Sequence, residues 1–224
     1  MFPYFTLFSK RIPLYGLMLL LGGVAGFSVA PRRTRKAGLR TDRAAGIGAC
    51  ALLCGLTGGF LLYRLTGGTG FGLAFYGGLL GGLPGAGLGA YLTKARLSDY
   101  VLPMLPGLPL AHAFGRVGCF LGGCCYGIEL QSGARFPVQL LEAALLLGIF
   151  AALLLYGRGS RPAAKTAGLY FLLYGLCRFG DEFLRGDEIR GFIGFFSVSQ
   201  WISLFLIAAG CALLKAKASK KRPF

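Results

Sequence analysis

Residues 72–91 read GLAFYGGLLGGLPGAGLGAY, a run of twenty residues without a charged side chain. A helix of about 20 predominantly apolar residues is long enough to cross the hydrocarbon core of a bilayer. The glycines and alanines of the run recur at small-xxx-small spacings, which allow two helix backbones to approach closely in lipid. This stretch therefore predicts a membrane-spanning helix that packs tightly against a neighbouring helix.

The whole chain has the composition of a polytopic membrane protein. Of its 224 residues, 55% are hydrophobic and only 14% are charged, and 38 are glycine. This length accommodates about seven spans of roughly 20 residues and leaves no room for a separate soluble domain. We therefore predict an all-α fold that forms a single transmembrane domain over residues 1–224. Its seven helices are expected near residues 13–30, 44–63, 70–93, 101–121, 138–157, 166–183 and 195–214.

The fourth predicted span is unusual because Pro103, Pro106 and Pro109 lie near its start. Proline removes a backbone hydrogen bond, and a span tolerates it where neighbouring helices satisfy the exposed carbonyls. We therefore expect a broken or irregular segment that leads into a helix beginning near Leu110.

The distribution of basic residues predicts the orientation of the chain. With seven spans, sixteen of the 24 lysines and arginines fall in four segments on one side, and basic loops mark the cytoplasmic side. The C-terminus is therefore expected in the cytoplasm and the N-terminus outside. The net charge of +16 is mostly this topology signal, so membrane lipids are expected partners and nucleic acid is not.

The stretch HAFGRVGCFLGGCCYG, at the end of the fourth predicted span, concentrates polar groups that a membrane should exclude. An ionisable side chain in the bilayer costs at least about 2.5 kcal/mol on insertion scales, so such residues usually line a cavity or bind a ligand. His112, Arg116 and Cys119 are spaced i, i+4 and i+7, which places them on one face of a helix.

The sixth predicted span carries a second polar face, in the stretch YGLCRFGDEFLR. Its members Tyr174, Arg178, Glu182 and Arg185 are spaced i, i+4, i+8 and i+11. Guanidinium groups match phosphate oxygens bidentately, so Arg116 and Arg178 together predict a phosphate-binding pair. The alternative is that Arg178 and Glu182 form a purely structural ion pair.

Five motifs in order, FYGGLLGG, GRVGCFLGGCCYG, FPVQLLE, YGLCRFGDEFLR and GFFSVSQWISL, resemble the prolipoprotein diacylglyceryl transferase family over residues from about 70 to 205. The resemblance implies a seven-span enzyme of the bacterial plasma (inner) membrane whose site lies toward the outer leaflet. Such an enzyme moves the diacylglyceryl group of phosphatidylglycerol to the thiol of a lipobox cysteine in the signal peptide of a lipoprotein precursor, and it releases glycerol 1-phosphate. No cofactor and no metal are implied.

The resemblance also implies roles for individual residues. Arg116 and Arg178 would stabilise the departing phosphate, and Tyr76, Glu182 or a local cysteine would accept the proton of the attacking thiol. Gln139 and Glu142 would contact the head group or orient Arg116, with helix capping as the alternative. The remaining positions expected to line the substrate site are Tyr174, Arg185, His112, Cys119, Cys124, Gly115, Gly118, Gly123 and Gly127.

Three positions depart from the family pattern. Tyr76, Cys119 and Cys124 stand where the family usually has histidine, asparagine and glutamate. Tyrosine is a poorer base than histidine near neutral pH, and His112 is either a substitute base or a packed histidine. Two other functions therefore stay open: a related phospholipid-using transferase with another thiol acceptor, or a non-catalytic phospholipid-binding membrane protein.

The motif cysteines, Cys119, Cys124 and Cys125, have four possible roles. Cys119 could be a small packing residue while the other two lie in the following loop, joined to each other or to Cys177. One thiolate could instead be the local base or a covalent relay, because nearby positive charge favours the thiolate. The remaining alternatives are redox control and a metal held together with His112, for which the spacing is a weak signal.

Overall fold

The computed structural model describes residues 4–7, 10–68, 73–157, 163–186 and 191–216. Most of these residues are helical, which confirms the main feature of the predicted fold class. They form two compact units, Met1–Gly122 and Gly123–Phe224.

In the part of the first unit that the structure describes, a pair of β-strands is followed by six helices. Strands β1 and β2 pair in antiparallel fashion with Leu7 opposite Lys10. The elements of this unit are β1 Tyr4–Leu7, β2 Lys10–Pro13, α1 Leu14–Ser28, α2 Ala30–Lys36, α3 Thr41–Leu65, α4 Phe75–Leu92, α5 Leu97–Met104 and α6 Gly107–Gly122.

Helix packing in the first unit depends on glycine. Helix α4 lies against α3, and a Cβ atom added to Gly85 would lie 2.6 Å from the Cβ atom of Cys54. Helix α1 lies against α6 in the same way, because a Cβ atom on Gly22 would lie 2.7 Å from the carbonyl oxygen of Ala111. Larger side chains at these positions would force the backbones apart. The tight helix–helix packing predicted for residues 72–91 is confirmed.

The fourth predicted span is two helices and not one. Helix α5 ends at Met104, and α6 begins at Gly107, three residues before the predicted start at Leu110. Pro106 lies in the break, where its missing N–H group leaves no helical hydrogen bond unmade. The irregular start is confirmed, and whether residues 101–121 form one membrane span stays a prediction.

The described residues of the second unit form three α-helices, a 3-10 turn and a hairpin. Helix α8 packs against both α7 and α9. The α8–α9 contact is close at Gly175, where an added Cβ atom would lie 2.9 Å from the carbonyl oxygen of Ser203. The elements are α7 Val138–Tyr156, α8 Ala163–Asp181, a 3-10 turn Glu182–Leu184, β3 Phe192–Ile193, β4 Phe196–Ser197 and α9 Val198–Lys215.

The two short hairpins depart from the all-α prediction. The β1–β2 pair precedes the first long helix, and the β3–β4 pair precedes the last. Segments of two to four residues are too short to show an alternating pattern in the sequence, which is why strand pairing was not expected there.

Among the described residues, four helical segments are long and apolar enough to cross a membrane. They are Leu14–Lys36, Thr41–Leu65, Val138–Tyr156 and Val198–Lys215. The other long helices are less apolar or shorter, since α4 is rich in glycine, α6 has 16 residues and α8 carries Lys165, Arg178 and Asp181. That residues 72–91 cross the membrane therefore stays a prediction. The chain is therefore a helical membrane protein, while the count of seven spans and the orientation of the termini stay predictions.

Candidate active site

The centre of the candidate site in the second unit is Arg178, in the last turn of α8. Its side chain is buried, with a relative exposure of 10%. Nη1 lies 2.9 Å from Oε2 of Glu182, and Nη2 donates a hydrogen bond of 2.9 Å to Oγ of Ser199. The two contacts orient the plane of the guanidinium group, because each uses a different nitrogen of the fork.

Ser199 is held in place by the start of α9. Ser197 is the N-cap residue of that helix, and it forms a reciprocal capping box with Gln200. Such a box satisfies two backbone N–H groups that a helix start otherwise leaves without acceptors. Ser203, one turn later, donates a hydrogen bond of 2.8 Å to the carbonyl oxygen of Ser199. The contact with Arg178 therefore comes from a well-defined helix terminus.

The polar face predicted for the sixth span is only partly helical. Tyr174 and Arg178 lie in α8, which ends at Asp181, and Glu182 begins the 3-10 turn. Arg185 has extended backbone dihedrals and forms a β-bridge with Gly127. The prediction that all four residues share one helical face is therefore wrong for Arg185, because the helix ends before reaching it.

Tyr174 lies one turn before Arg178 on α8. Its ring stacks on that of Tyr170, with 5.8 Å between the ring centroids. Tyr170 is buried and Tyr174 is half-buried. Two stacked tyrosines therefore occupy the two turns of α8 that precede Arg178.

The first turns of α7 add an amide and a carboxyl group to the buried part of the unit. Gln139 and Glu142 are 1% and 3% exposed, and they share the buried face of α7 with apolar residues further along the helix. Nε2 of Gln139 donates a hydrogen bond of 2.7 Å to the carbonyl oxygen of Cys124. Since this acceptor lies outside the helix, the capping alternative is wrong for Gln139, and the N-cap residue is Pro137.

The loop before α7 is organised by short backbone pairings. Gly127 donates to the carbonyl of Phe136, and Ile128 donates to the carbonyl of Leu184. A Cβ atom on Gly127 would lie 2.5 Å from the first of these carbonyl oxygens and 2.8 Å from that of Leu184. Gly127 therefore allows three chain segments to come together, and this is the role that the structure gives it.

A cation–π contact reinforces the same loop. The guanidinium carbon of Arg135 lies 3.6 Å from the centroid of the Tyr126 ring. Such contacts contribute about 0.5–1 kcal/mol at exposed sites. Hydrogen bonds from Gln139 to Cys124 and from Ile128 to Leu184 join the loop that carries Cys124 and Cys125 to α7 and to the 3-10 turn.

Two contributors were missed by the sequence analysis, Asp181 and Ser199. Asp181 is 3% exposed and precedes Glu182, so it brings a further carboxyl group into the buried end of α8. Its position next to Glu182 at the end of a predicted span was the available signal, because carboxyl groups in membrane-spanning segments are rare. For Ser199, the signal was the Ser-x-x-Gln pattern at residues 197–200, which predicts a helix start.

The electrostatics of this unit are dominated by buried acids. Among the buried residues that the structure describes, three carboxyl groups, those of Glu142, Asp181 and Glu182, accompany one guanidinium group, that of Arg178. One of the three, that of Glu182, is ion-paired to this guanidinium. The site therefore places a guanidinium, a group that can bind an anion, directly beside a carboxylate, a group that can accept a proton.

The first unit carries His112, Arg116 and Cys119 on α6. All three lie inside Gly107–Gly122, so the prediction that they share a helical face is confirmed. Cys119 is buried, and the other two are half-buried. Arg116 belongs to a different unit from Arg178, and its convergence with Arg178 on one phosphate stays a prediction.

The predicted glycines of the substrate site have structural roles of their own. Gly115 and Gly118 face α1, where a Cβ atom on Gly118 would lie 3.0 Å from the Cβ atom of Met18. Gly123 has a φ of +74°, which glycine adopts at no steric cost. Contact of these glycines with substrate stays a prediction.

The remaining predicted site residues are Tyr76 and the motif cysteines. Tyr76 belongs to α4, but its side chain lies outside the described residues. Cys124 is exposed, and Cys125 is half-buried with a φ of +55°. Their Sγ atoms lie within 4.8 Å of each other. All seven cysteines are thiols in the structure, and the four alternative roles of the motif cysteines stay predictions.

Comparison with known proteins places this arrangement in a family. The sequence pattern of the prolipoprotein diacylglyceryl transferases matches residues 3–216. The phosphatidylglycerol--prolipoprotein diacylglyceryl transferase 2 of Clostridium perfringens is 32% identical, over 96% of this chain and 95% of its own length. The phosphatidylglycerol--prolipoprotein diacylglyceryl transferase of Clostridium tetani is 33% identical, over 97% and 98%. That of Nitratidesulfovibrio vulgaris is 32% identical, over 96% and 94%.

Proposed function

The chain belongs to the prolipoprotein diacylglyceryl transferase family, and on that premise we propose that it transfers the diacylglyceryl group of phosphatidylglycerol to the lipobox cysteine of a lipoprotein precursor. The second product is glycerol 1-phosphate. The family match covers nearly the whole chain, and the curated relatives carry this activity in their names.

The observation that carries the proposal is the buried, doubly supported guanidinium of Arg178. Nη1 and Nη2 are already oriented by Glu182 and Ser199. A preoriented guanidinium in a water-poor site pays little reorganisation cost when negative charge develops beside it. A phosphate leaving group is the kind of ligand that this fork recognises.

The reaction needs one bond to form and one to break. The sulfur of the acceptor cysteine attacks the glycerol carbon of the diacylglyceryl group, and the carbon–oxygen bond to phosphate breaks. The phosphate oxygen keeps the electron pair and leaves as glycerol 1-phosphate. Arg178 stabilises the charge on that oxygen, and Arg116 supplies the second cation.

The proton of the acceptor thiol must pass to a base. Glu182 is a suitable candidate because it is buried and ion-paired to Arg178, so it lies beside the group that holds the phosphate. Tyr76 and the motif cysteines are the other candidates. An in-line attack places the thiol on the face of the carbon opposite the phosphate, so the base must reach that face from its position beside Arg178.

Gln139 and Glu142 complete the proposed site from α7. Both side chains are buried in the first turns of α7, whose remaining buried residues are apolar. Gln139 fixes the loop at Cys124 through its hydrogen bond to the carbonyl oxygen. We assign to Glu142 the orientation of the head group or of Arg116.

The proposed setting is the bacterial plasma membrane, with seven spans, the N-terminus outside and the C-terminus in the cytoplasm. The concentration of basic residues in the segments between alternate helices supports this orientation. The phosphatidylglycerol site then lies toward the outer leaflet, where the acceptor cysteine of a secreted precursor becomes accessible.

The direct test is conversion by the purified protein. Phosphatidylglycerol and a lipobox peptide should yield diacylglyceryl-peptide and glycerol 1-phosphate in equal amounts. A peptide with serine in place of the lipobox cysteine is the matched control and should yield neither product. Release of glycerol 1-phosphate with that control peptide would contradict thioether formation.

A non-catalytic phospholipid-binding protein is the second candidate, favoured by the departures at Tyr76, Cys119 and Cys124. It predicts that the protein binds phosphatidylglycerol but makes no diacylglyceryl-peptide under any of the conditions above. A transferase with another thiol acceptor predicts turnover with a small-molecule thiol and none with the lipobox peptide.

A further inference from the structure

We propose that the β3–β4 hairpin is a membrane-interface anchor, whose apolar tip inserts into the lipid surface next to the start of α9. The hairpin spans Phe192–Ser197 and lies immediately before a helix that is long and apolar enough to cross the membrane. This inference concerns lipid contact by a connecting segment, and it does not depend on the proposed catalytic activity.

The tip exposes large apolar side chains. Phe195 is fully exposed, and Phe192 and Ile193 are 64% and 62% exposed. Residues 191–214 contain no charged side chain. Large apolar patches on a protein surface mark contact with lipid or with a partner, and aromatic side chains are enriched where a protein meets the membrane interface.

The backbone of the hairpin is prepared for an apolar environment. Phe192 pairs with Ser197 and Ile193 with Phe196 in antiparallel register. Nε1 of Trp201 donates a hydrogen bond of 3.0 Å to the carbonyl oxygen of Ile193. Internal pairing of this kind lowers the cost of bringing a backbone close to lipid, where water is scarce.

The turn itself has the required geometry. Gly194 has a φ of +63°, and Gly194 and Phe195 are the two residues that connect the strands. Tight two-residue turns favour glycine at such a position. The turn therefore projects Phe195 away from the protein.

The inner side of the hairpin is fixed to the helix ends by aromatic contacts. The Phe196 ring lies 5.7 Å from that of Phe179 on α8 and 5.5 Å from that of Trp201 on α9. Phe196 packs inward while its neighbours at the tip point outward. The hairpin is thus held to the helices, and its outer residues form a separate apolar surface.

Lipid is the occupant that best fits this surface. The exposed residues of the hairpin continue into exposed apolar residues of α9, namely Trp201, Ile202 and Phe205. Since α9 is a candidate span, its outward face meets lipid, and the hairpin extends that face toward the interface. Ser199 lies in the first turn of the same helix. A hairpin anchored at the interface would therefore also set the depth in the membrane at which Ser199 bonds to Arg178.

Tryptophan fluorescence can test this inference, because Trp201 is the only tryptophan in the chain. The full-length protein is reconstituted in vesicles of phosphatidylglycerol and phosphatidylcholine whose acyl chains are brominated near the head group. Phe195→Trp is measured with Trp201 retained, and the emission of the parent is subtracted. Phe195 is fully exposed, so this substitution should not disturb folding.

Two matched variants in the same unit calibrate the measurement. Leu155→Trp places an indole on the exposed face of α7, a candidate span, and Ser132→Trp places one in the exposed loop before α7. We expect the indole at position 195 to lose most of its emission to bromolipid, as at position 155, and to resist aqueous iodide. Quenching by iodide and not by bromolipid, as expected at position 132, would overturn the proposal. Protection from both quenchers would also overturn it, since protein would then cover the tip.

Discussion

Replacing Arg178 with lysine tests whether a planar fork is needed or only a positive charge. In the structure one guanidinium contacts Glu182 through Nη1 and Ser199 through Nη2. A lysine ammonium is a point charge and cannot reproduce two contacts fixed in one plane. We therefore expect Arg178→Lys to impair turnover nearly as much as Arg178→Ala.

The magnitude follows from the contacts that are lost. A hydrogen bond to a charged group contributes about 1.5–3 kcal/mol, so loss of one such contact in the transition state slows turnover about 10- to 150-fold. Removal of the whole cation should cost about 100- to 1,000-fold, as for other groups that stabilise developing negative charge. The alanine variant also leaves Glu182 buried without this cation, which destabilises the fold by about 3–5 kcal/mol.

The assay measures initial rates with phosphatidylglycerol and lipobox peptide, alongside thermal unfolding in the same detergent. Arg40→Lys is the matched control, because Arg40 forms a 2.7 Å ion pair with Asp42 but both side chains are more than 60% exposed. Exposed pairs contribute only about 0–1 kcal/mol, so this variant should retain parental activity and stability. Parental turnover by Arg178→Lys would refute the bidentate role and leave Arg178 as a general counter-charge.

Three other predictions concern orientation, packing and the cysteines. A topology reporter fused after Phe224 should lie in the cytoplasm, and one inserted within Glu129–Arg135 should lie outside the cell. Finding the two reporters on the same side would contradict the proposed seven spans. Gly127→Ala should lower the free energy of unfolding by about 1–3 kcal/mol, because the added Cβ atom would collide with two carbonyl oxygens. Gly148→Ala is the control and should leave stability unchanged, because there is open space around Gly148. Equal melting temperatures for the two variants would contradict the close packing at Gly127. Replacing all three motif cysteines with serine should leave activity within a few-fold and insensitive to alkylation if they only pack. Loss of activity from one replacement in a folded protein would instead indicate a thiolate base or relay, and reductant-dependent activity in the parent would indicate redox control.

Several features were predictable because they depend on composition and local spacing. The apolar runs located the long helices α1, α3, α4, α7, α8 and α9. Helical spacing correctly placed His112, Arg116 and Cys119 on one face of α6. The order of five motifs was enough to identify the family. The i, i+4 spacing of Arg178 and Glu182 raised their ion pair as an alternative, and the structure contains this pair at the end of α8.

Other features depended on contacts between segments that are distant in the chain. Arg185 leaves the face of α8 because its backbone pairs with Gly127, 58 positions earlier, and that pairing has no local signature. Gln139 bonds to the carbonyl of Cys124 because the loop folds back on α7.

The sequence by itself determined a helical membrane protein with arginines inside its helices and a recognisable family, because hydropathy and helical periodicity act over a few turns. Only the tertiary structure decided where α8 ends, which serine supports Arg178, and that a hairpin precedes α9. The physical reason is that backbone hydrogen bonds in turns and short strands are satisfied by whichever segment packing brings within reach. That choice depends on the whole fold, and no local pattern of residues encodes it.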